Sequence, residues 1–284
     1  MSSPRYDLHA HSLASDGTLT ARELVERAAA QHVQVLALTD HDTTDGLAEA
    51  REAAVAWRVQ LVAGIEISVT WNRQTIHIVG LNINPDDAAL QAGLRRLREY
   101  RDWRAAEIDR RLARHRIEGA LDGARRYAKG AIVSRTHFAR YLVEKGHALN
   151  MSDAFRHYLS KGRPGHVAGN WASLQEAVGW IHGAGGQAVV AHPGRYKLTS
   201  GKMRTLLREF RDCGGAAIEV ICGSHEPQSQ QHLARFAREF ELLASLGSDY
   251  HGPEKPWIEL GRLPALPDGC VPVWDQWKPV SSEQ

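Results

Sequence analysis

The sequence predicts an α/β fold with a helical unit inserted into it. Three observations carry that prediction. Short apolar runs suited to buried strands alternate with amphipathic helical stretches over much of the 284 residues. Residues 86–165 break the alternation and read as helical, rich in arginine and poor in β-branched runs. Nearly every apolar run ends in histidine, aspartate or glutamate, at the strand ends where α/β sheets place their sites.

Bulk properties narrow the class. A hydrophobic fraction of 43% fits an ordinary soluble globular protein. Lys plus Arg number 35 against 33 Asp plus Glu, so net charge gives no support for bulk nucleic-acid binding. Cys213, Cys222 and Cys270 form no CxxC pair, which argues against a disulfide framework and a cysteine zinc site. The N-terminus carries no long apolar run, so neither a signal peptide nor a membrane span is expected, and the expected location is cytoplasmic. No protein partner is inferable. The 15 histidines are many for this length, and their placement carries the argument.

The first strand is the stretch Tyr6 to Ser12. Alternation puts Asp7, His9 and His11 on one face, and two imidazoles two residues apart can reach one metal ion. Asp16 follows in a turn, either as an Asx-turn residue or facing the same pocket. Thr20 and Glu23 form a capping box for a helix buried through Leu24, Val25 and Ala28. Val33 to Thr39 is a buried parallel strand ending in Asp40-His41-Asp42, and a helix follows from Leu47 to Trp57. Glu66 stands between Ile65 and Ile67 in the strand Val59 to Val69; a carboxylate there is costly unless paired or metal-bound. His77 interrupts the strand Thr75 to Leu81, as a ligand or as a hydrogen-bonded core histidine.

In the inserted unit, Leu90, Leu94, Leu97, Ile108 and Leu112 fall on one helix face, and Arg101 and Arg104 share that stripe. Such arginines snorkel, pair with acids, or reach across a cleft to phosphate. Helices follow at 119–128 and 135–146, the second capped by Ser134, which places Arg135 and His137 in its first turn. An anion at that N-terminus would explain an arginine there. Phe155 to Arg163, with Lys161, is a basic exit segment.

The α/β alternation then resumes. A helix at 173–184 precedes the strand Gln187 to Ala191, which ends at His192. A helix from Leu198 to Asp212 precedes the strand Ala216 to Ile221, with His225 beyond its end. A helix from Gln228 to Phe240 precedes the strand Leu242 to Leu246, which leads to Asp249 and His251. The tail beyond 255, with Pro and Trp and little periodicity, is expected to pack over the fold without chemistry.

Collected, the strand-end residues are His9, His11, Asp16, His41, Glu66, His77, His192, Asp249 and His251. Six imidazoles and three carboxylates exceed what one zinc ion needs. They suit two or three divalent ions sharing a bridging carboxylate, about 3.5–4 Å apart, as in phosphatases and nucleases. A nitrogen and oxygen set without thiolate suits Mn, Fe or Zn.

These residues, in this order, are also where the chain resembles a known family, the polymerase-and-histidinol-phosphatase (PHP) superfamily. The matching motifs are Asp7-Leu8-His9-Ala10-His11, Thr39-Asp40-His41-Asp42, Gly64-Ile65-Glu66-Ile67-Ser68, Ala191-His192-Pro193 and Gly247-Ser248-Asp249-Tyr250-His251. The resemblance implies a distorted (β/α)7 barrel built from 1–85 and 166–284, with the metal cluster at its C-terminal mouth and residues 86–165 covering that mouth. It implies one ion on His9, His11, Glu66 and Asp249, a second on Glu66, His77 and His192, and a third on Asp16, His41 and His251. Asp16 departs from the histidine often found at its position.

Within the superfamily the chain is similar to the branch that removes the 3′-phosphate of nucleoside 3′,5′-bisphosphates such as pAp, and to a 5′-3′ exoribonuclease. The shared features are the helical insertion, Ser134-Arg135-Thr136-His137 and the Tyr158-Leu159-Ser160-Lys161-Gly162 loop. The resemblance implies that Arg101, Arg104, Arg135, His137 and Lys161 grip the phosphate that is not cleaved. Manganese is the expected metal. Glu66, Asp16 and His41 are the expected catalytic centre, with His225 or His251 as proton donor to the leaving oxygen. Histidinol-phosphate phosphatase is the alternative enzyme, against which the basic insertion argues. A metal-binding module without turnover is the alternative class, against which the ligand set argues.

Overall fold

The computed structural model describes residues 4–277. Seven strands form one sheet in chain order. They are β1 (Tyr6–Asp7), β2 (Val35–Leu38), β3 (Gln60–Trp71), β4 (Gln74–Leu81), β5 (Gln187–Val190), β6 (Ala217–Cys222) and β7 (Leu243–Gly247). The sheet curls until its ends meet. Leu8 N donates to Leu246 O at 3.0 Å, and Ala10 bridges Tyr250 in parallel. Gly247 permits this closure, because a Cβ there would lie 2.3 Å from the Cβ of His9. The first strand is shorter than the stretch Tyr6 to Ser12, since the ladder ends at Asp7 and only Ala10 pairs beyond it.

The barrel is distorted for a local reason. Only Asn72 and Arg73 separate β3 from β4, both at positive φ (45° and 60°), the conformation of a two-residue hairpin turn. A parallel return needs a crossover of a dozen residues or more, so β4 runs antiparallel to β3 and to β5. The other pairs are parallel. Alternation along β2 shows the layering. Val35 and Ala37 join the inner cluster with Leu8, Val62, Val79 and Val189, while Leu36 and Leu38 pack outward with Leu24, Val25 and Leu47. Helices α1 (Ala21–Ala30), α2 (Leu47–Trp57), α7 (Leu174–Gly183), α8 (Ser200–Asp212) and α9 (Pro227–Glu239) connect the strands. The Thr20 and Glu23 capping box is present.

Between β4 and α7 the chain forms α3 (Ala88–Ala113), α4 (Ala120–Tyr127), α5 (Arg135–Glu144), the short α6 (Met151–Ala154) and a π-turn at Phe155–Leu159. The 26 residues of α3 span about 39 Å, and the helix serves two cores. Leu90, Leu94 and Leu97 lie in the core outside the barrel, whereas Ala105, Ile108 and Leu112 pack with Phe138, Leu142 and Leu159 in a separate core. The helices are thus their own packing unit only from Ala105 onward. Tyr6 stacks on Trp274 at 4.1 Å, so the tail closes the far end of the barrel. Among the described residues no helix is long and apolar enough to cross a membrane.

Candidate metal centre and active-site cavity

Glu66 is the hub. β3 carries it fully buried between Ile65 and Ile67. Its Oε1 lies 2.9 Å from His77 Nδ1 on β4 and 2.9 Å from His192 Nε2 after β5. Its Oε2 lies 2.9 Å from His41 Nδ1, 3.3 Å from His11 Nε2 and 3.4 Å from His9 Nε2. One carboxylate therefore faces five imidazoles from four chain segments, with a different oxygen toward each set.

Asp16 and Asp249 close the cluster. Asp16 Oδ1 is 3.3 Å from His251 Nε2 and 3.8 Å from His41 Nε2. Its Oδ2 accepts hydrogen bonds from Ser134 Oγ (3.1 Å) and Thr136 Oγ1 (2.9 Å) at the start of α5. An imidazole at this position lacks the second acceptor, so aspartate here both faces the cluster and latches the inserted helices. Asp249 Oδ1 is 3.3 Å from His11 Nε2, and its Oδ2 pairs with Arg195 Nη1 at 2.5 Å.

Four overlapping groups result, each with ligand atoms within 4.8 Å of one another: His11, Asp16, His41, His251; His9, His192, Asp249; His9, His11, Glu66; and His41, Glu66, His77. All nine strand-end residues appear in them. The grouping differs in detail from the ion sets drawn from the resemblance. His11 also joins the Asp16 set, and His41 stands beside Glu66 and His77.

The donor chemistry fits divalent metal. Among the described residues, Asp16 Oδ1, Glu66 Oε2 and His41 Nδ1 are buried without a hydrogen-bond partner. His9 Nδ1 is 3.0 Å from Glu219 Oε1; donating there leaves a lone pair on Nε2, which faces His11 Nε2 at 3.1 Å. Burial, reinforced by the neighbouring His251, pushes His11 down to about 3, and burial pushes His77 down to about 4, so both are neutral donors. At His41 burial opposes charge, but Glu66 and Asp16 outweigh it and raise the imidazole to about 9. Burial also opposes the charge on Glu66, and His41, His77 and His9 hold its carboxyl well below the usual range. The cluster attracts positive charge at its centre, of the kind several divalent ions would supply.

A cavity of about 660 Å³ opens over the cluster. Arg101, Arg104, Arg135, Arg140 and Arg195 line it beside the ligands. Arg101 donates through Nε to Asp42 Oδ2 (2.7 Å) and through Nη2 to Ser68 Oγ (3.0 Å), so it already has an acid partner. Arg104 donates only to Val167 O (3.1 Å), and among the described residues neither it nor Arg135 has a carboxylate partner. Both Arg101 and Arg104 lie over the Trp171 ring, at 5.0 and 5.4 Å. Burial, then the neighbouring Arg135 and Arg101, push Arg104 down to about 9. Crowded guanidinium groups without acids favour an anion.

Three expected residues stand elsewhere. His137 is buried, and its Nδ1 accepts from Ser134 N at 3.1 Å, so it caps α5 rather than lining the cavity. Lys161 is exposed on the turn after the π-turn and does not line the cavity. At His225, Nε2 accepts from Gly194 N (3.2 Å) and Nδ1 donates to Val220 O (3.2 Å); both nitrogens serve the backbone, which removes it as proton donor. His251 does line the cavity.

Sequence reasoning missed Glu219, Arg195 and Tyr196. Glu219 Oε1 accepts from His9 Nδ1 and its Oε2 from His192 N at 2.5 Å. The signal was available, since Glu219 interrupts the apolar strand β6 as Glu66 interrupts β3. The Tyr196 hydroxyl accepts from His77 N at 2.8 Å. The tail is also not free of the site, because Lys255 and Trp257 line the cavity.

A seven-stranded barrel whose mouth gathers histidines and carboxylates around one shared glutamate defines a multi-metal centre. The PHP domain model matches residues 7–188, and the chain belongs to the PHP family. It is 47% identical over 269 residues to a 3′,5′-nucleoside bisphosphate phosphatase of Chromobacterium violaceum, covering 94% of each chain. It is 46% identical over 275 residues to the 5′-3′ exoribonuclease Rnm of Escherichia coli, covering 96% of this chain and 94% of that protein. Among solved structures, an amidohydrolase from C. violaceum with bound sulfate and no metal superposes with a TM-score of 0.92 at 47% identity, over 95% of both chains. A putative metal-dependent phosphoesterase from Bifidobacterium adolescentis superposes at 0.80 with 27% identity, over 96% of this chain and 94% of that one.

Proposed function

We propose that this chain is a metal-dependent phosphoesterase that removes the 3′-phosphate of nucleoside 3′,5′-bisphosphates, converting pAp to AMP and phosphate. The observation that carries the reading is the adjacency, in one cavity, of the Glu66-centred donor set and the guanidinium groups of Arg104 and Arg135, which have no acid partner among the described residues. A substrate with two phosphates matches the two halves. The relatives named above, a bisphosphate phosphatase and a 5′-3′ exoribonuclease, point to the same chemistry.

Bound divalent ions, with Mn²⁺ the choice proposed here, would polarise the scissile phosphoryl oxygens and lower the pKa of an attacking water. The chain's own residues do the rest. Glu66, His9, His11, His41, His77, His192, Asp16, Asp249 and His251 hold the ions. Arg104 and Arg135, with Arg101 backed by Asp42, hold the second phosphate, and that grip aligns the 3′-phosphorus for in-line attack. In this reading His251 is a metal ligand through Nε2, so the leaving 3′-oxygen would be stabilised by a bound ion rather than by a proton from His251. His251 Nδ1 is fixed by donation to Asp249 O at 2.9 Å, leaving Nε2 on the Asp16 side of the cavity.

The test is phosphate release with Mn²⁺ from pAp, 3′-AMP and histidinol phosphate side by side. Preference for pAp over 3′-AMP supports the two-phosphate reading, equal rates leave a general phosphatase, and preference for histidinol phosphate supports the alternative enzyme. Exonucleolytic release from short RNA 5′ ends is the second reading, supported by the exoribonuclease relatives; it uses the same phosphate grip.

A further inference from the structure

The donor set and the arginines do not account for the whole cavity. Met151, Phe155 and Trp257 also line it, and neither phosphate nor metal needs them. They come from two distant parts of the chain. Met151 begins α6, Phe155 begins the π-turn, and Trp257 lies in the tail, six residues beyond His251. Trp257 is the most conspicuous, at 69% exposed while standing at the cavity rim. Trp171, the other tryptophan of the cavity, is only 9% exposed and is already covered by Arg101 and Arg104. Phe155 is half-buried, with the Arg135 guanidinium 5.8 Å from its ring centre. A π-turn in this segment is itself unusual, and such turns concentrate at functional sites.

We propose that Trp257, with Phe155 and Met151, is a nucleobase-stacking subsite. The proposal rests on the reading of the cavity as a nucleotide phosphoesterase site and adds where the base goes. The occupant follows from what is left over. With one phosphate at the donor set and the other at Arg104 and Arg135, the remaining part of such a substrate is a ribose carrying a flat aromatic ring. A cavity of about 660 Å³ is of the size that takes a ligand of this kind. The rest of the lining faces the same ligand with a mixed set of polar side chains. Glu254 is engaged with Arg140 at 3.3 Å, and Asn150 spends its side-chain oxygen accepting from Asp153 N at 2.9 Å. Neither is committed to reading a base edge. Stacking on a π-face tolerates every base, so the subsite accepts purine and pyrimidine nucleotides, purines more tightly because their ring area is larger. It serves a mononucleotide and the first base of an RNA 5′ end alike.

The test is calorimetric binding to the Mn²⁺-loaded protein of adenosine 5′-monophosphate and of ribose 5-phosphate, which keeps sugar and phosphate but has no base. Wild type binds the nucleotide about 5- to 150-fold more tightly, the range alanine substitution of a stacking aromatic gives. In W257A that ratio falls to near 1, and W257F restores most of it. Equal affinities in wild type, or an equal loss for both ligands in W257A, overturn the proposal. Phosphate release from pAp, measured in parallel, separates the parent reading. Base-dependent affinity without release supports the subsite and removes the hydrolytic reading; release without base-dependent affinity removes the subsite alone.

Discussion

Around the barrel mouth, Asp42, His192 and Asp249 sit at φ of 50°, 28° and 55°, a region non-glycine residues seldom occupy. Across the cavity, the residues facing them from the insertion, Arg101, Arg104 and Arg135, lie on regular helix. The barrel forces its backbone so that donors converge within a few ångströms, and neighbours enforce the strain: Asp42 accepts from Ser68 N at 2.8 Å, and Glu219 holds His192 N. The insertion spends no strain. It has its own core around Phe138 and Leu142 and presents long cations from unstrained helix turns. On the proposed reading, the metal half would be set by tight geometry and the phosphate half by charge. Substitutions in the first should abolish turnover, and those in the second should change which substrate is preferred.

The largest effect is expected at Glu66. E66A removes the oxygens shared by the two imidazole sets, and bound metal measured by elemental analysis should fall with turnover. Outer-shell partners of metal ligands are worth about 10- to 100-fold, so loss of the shared carboxylate should exceed that. Wild-type metal content and turnover in E66A would break the division between the halves.

E219Q comes next. Glu219 offers two acceptors to two donors, His9 Nδ1 and His192 N, whereas glutamine offers one acceptor and an NH₂ group. Titration of the apoprotein with Mn²⁺ should show an affinity loss of about 10- to 100-fold. Unchanged affinity would mean that the strained ligands hold themselves.

In the other half, R104A and R135A should raise the KM for pAp by about 10- to 100-fold each, the range for loss of a charge-assisted hydrogen bond worth ~1.5–3 kcal/mol. Their kcat with 3′-AMP should move much less. The smallest effect belongs to the joint between the halves. S134A removes an N-cap and one of the two hydroxyls on Asp16, and should cost about 1 kcal/mol in denaturant unfolding.

The sequence made the two halves legible to different depths. A carboxylate inside Ile65-Glu66-Ile67 and histidines at strand ends are costly without ligands, so apolar context singled out residues that the fold brings within reach of one another, while Asp16 in its turn and His77 each kept a second reading open in the sequence. The same reasoning failed at His225, which also follows a strand but spends both nitrogens on Gly194 and Val220. Position along a strand does not reveal what the backbone of another loop will consume. Arg101 and Arg104 were visible because they break an apolar stripe, yet only the fold distinguishes Arg101, paired with Asp42, from Arg104, which has no acid partner among the described residues. The antiparallel course of β4 was open in the sequence because it depends on the conformation of Asn72 and Arg73 rather than on composition. Trp257 was passed over because a loop rich in proline has no periodicity to say which way a side chain faces.

The most direct test of the account is the ratio of kcat/KM for pAp to that for 3′-AMP, compared between wild type and the double variant R104A/R135A with Mn²⁺ present. The account predicts a high ratio in wild type that collapses toward 1 in the double variant, with 3′-AMP still hydrolysed. A ratio unchanged by the double substitution would contradict it, because the second phosphate would then be read somewhere other than the insertion.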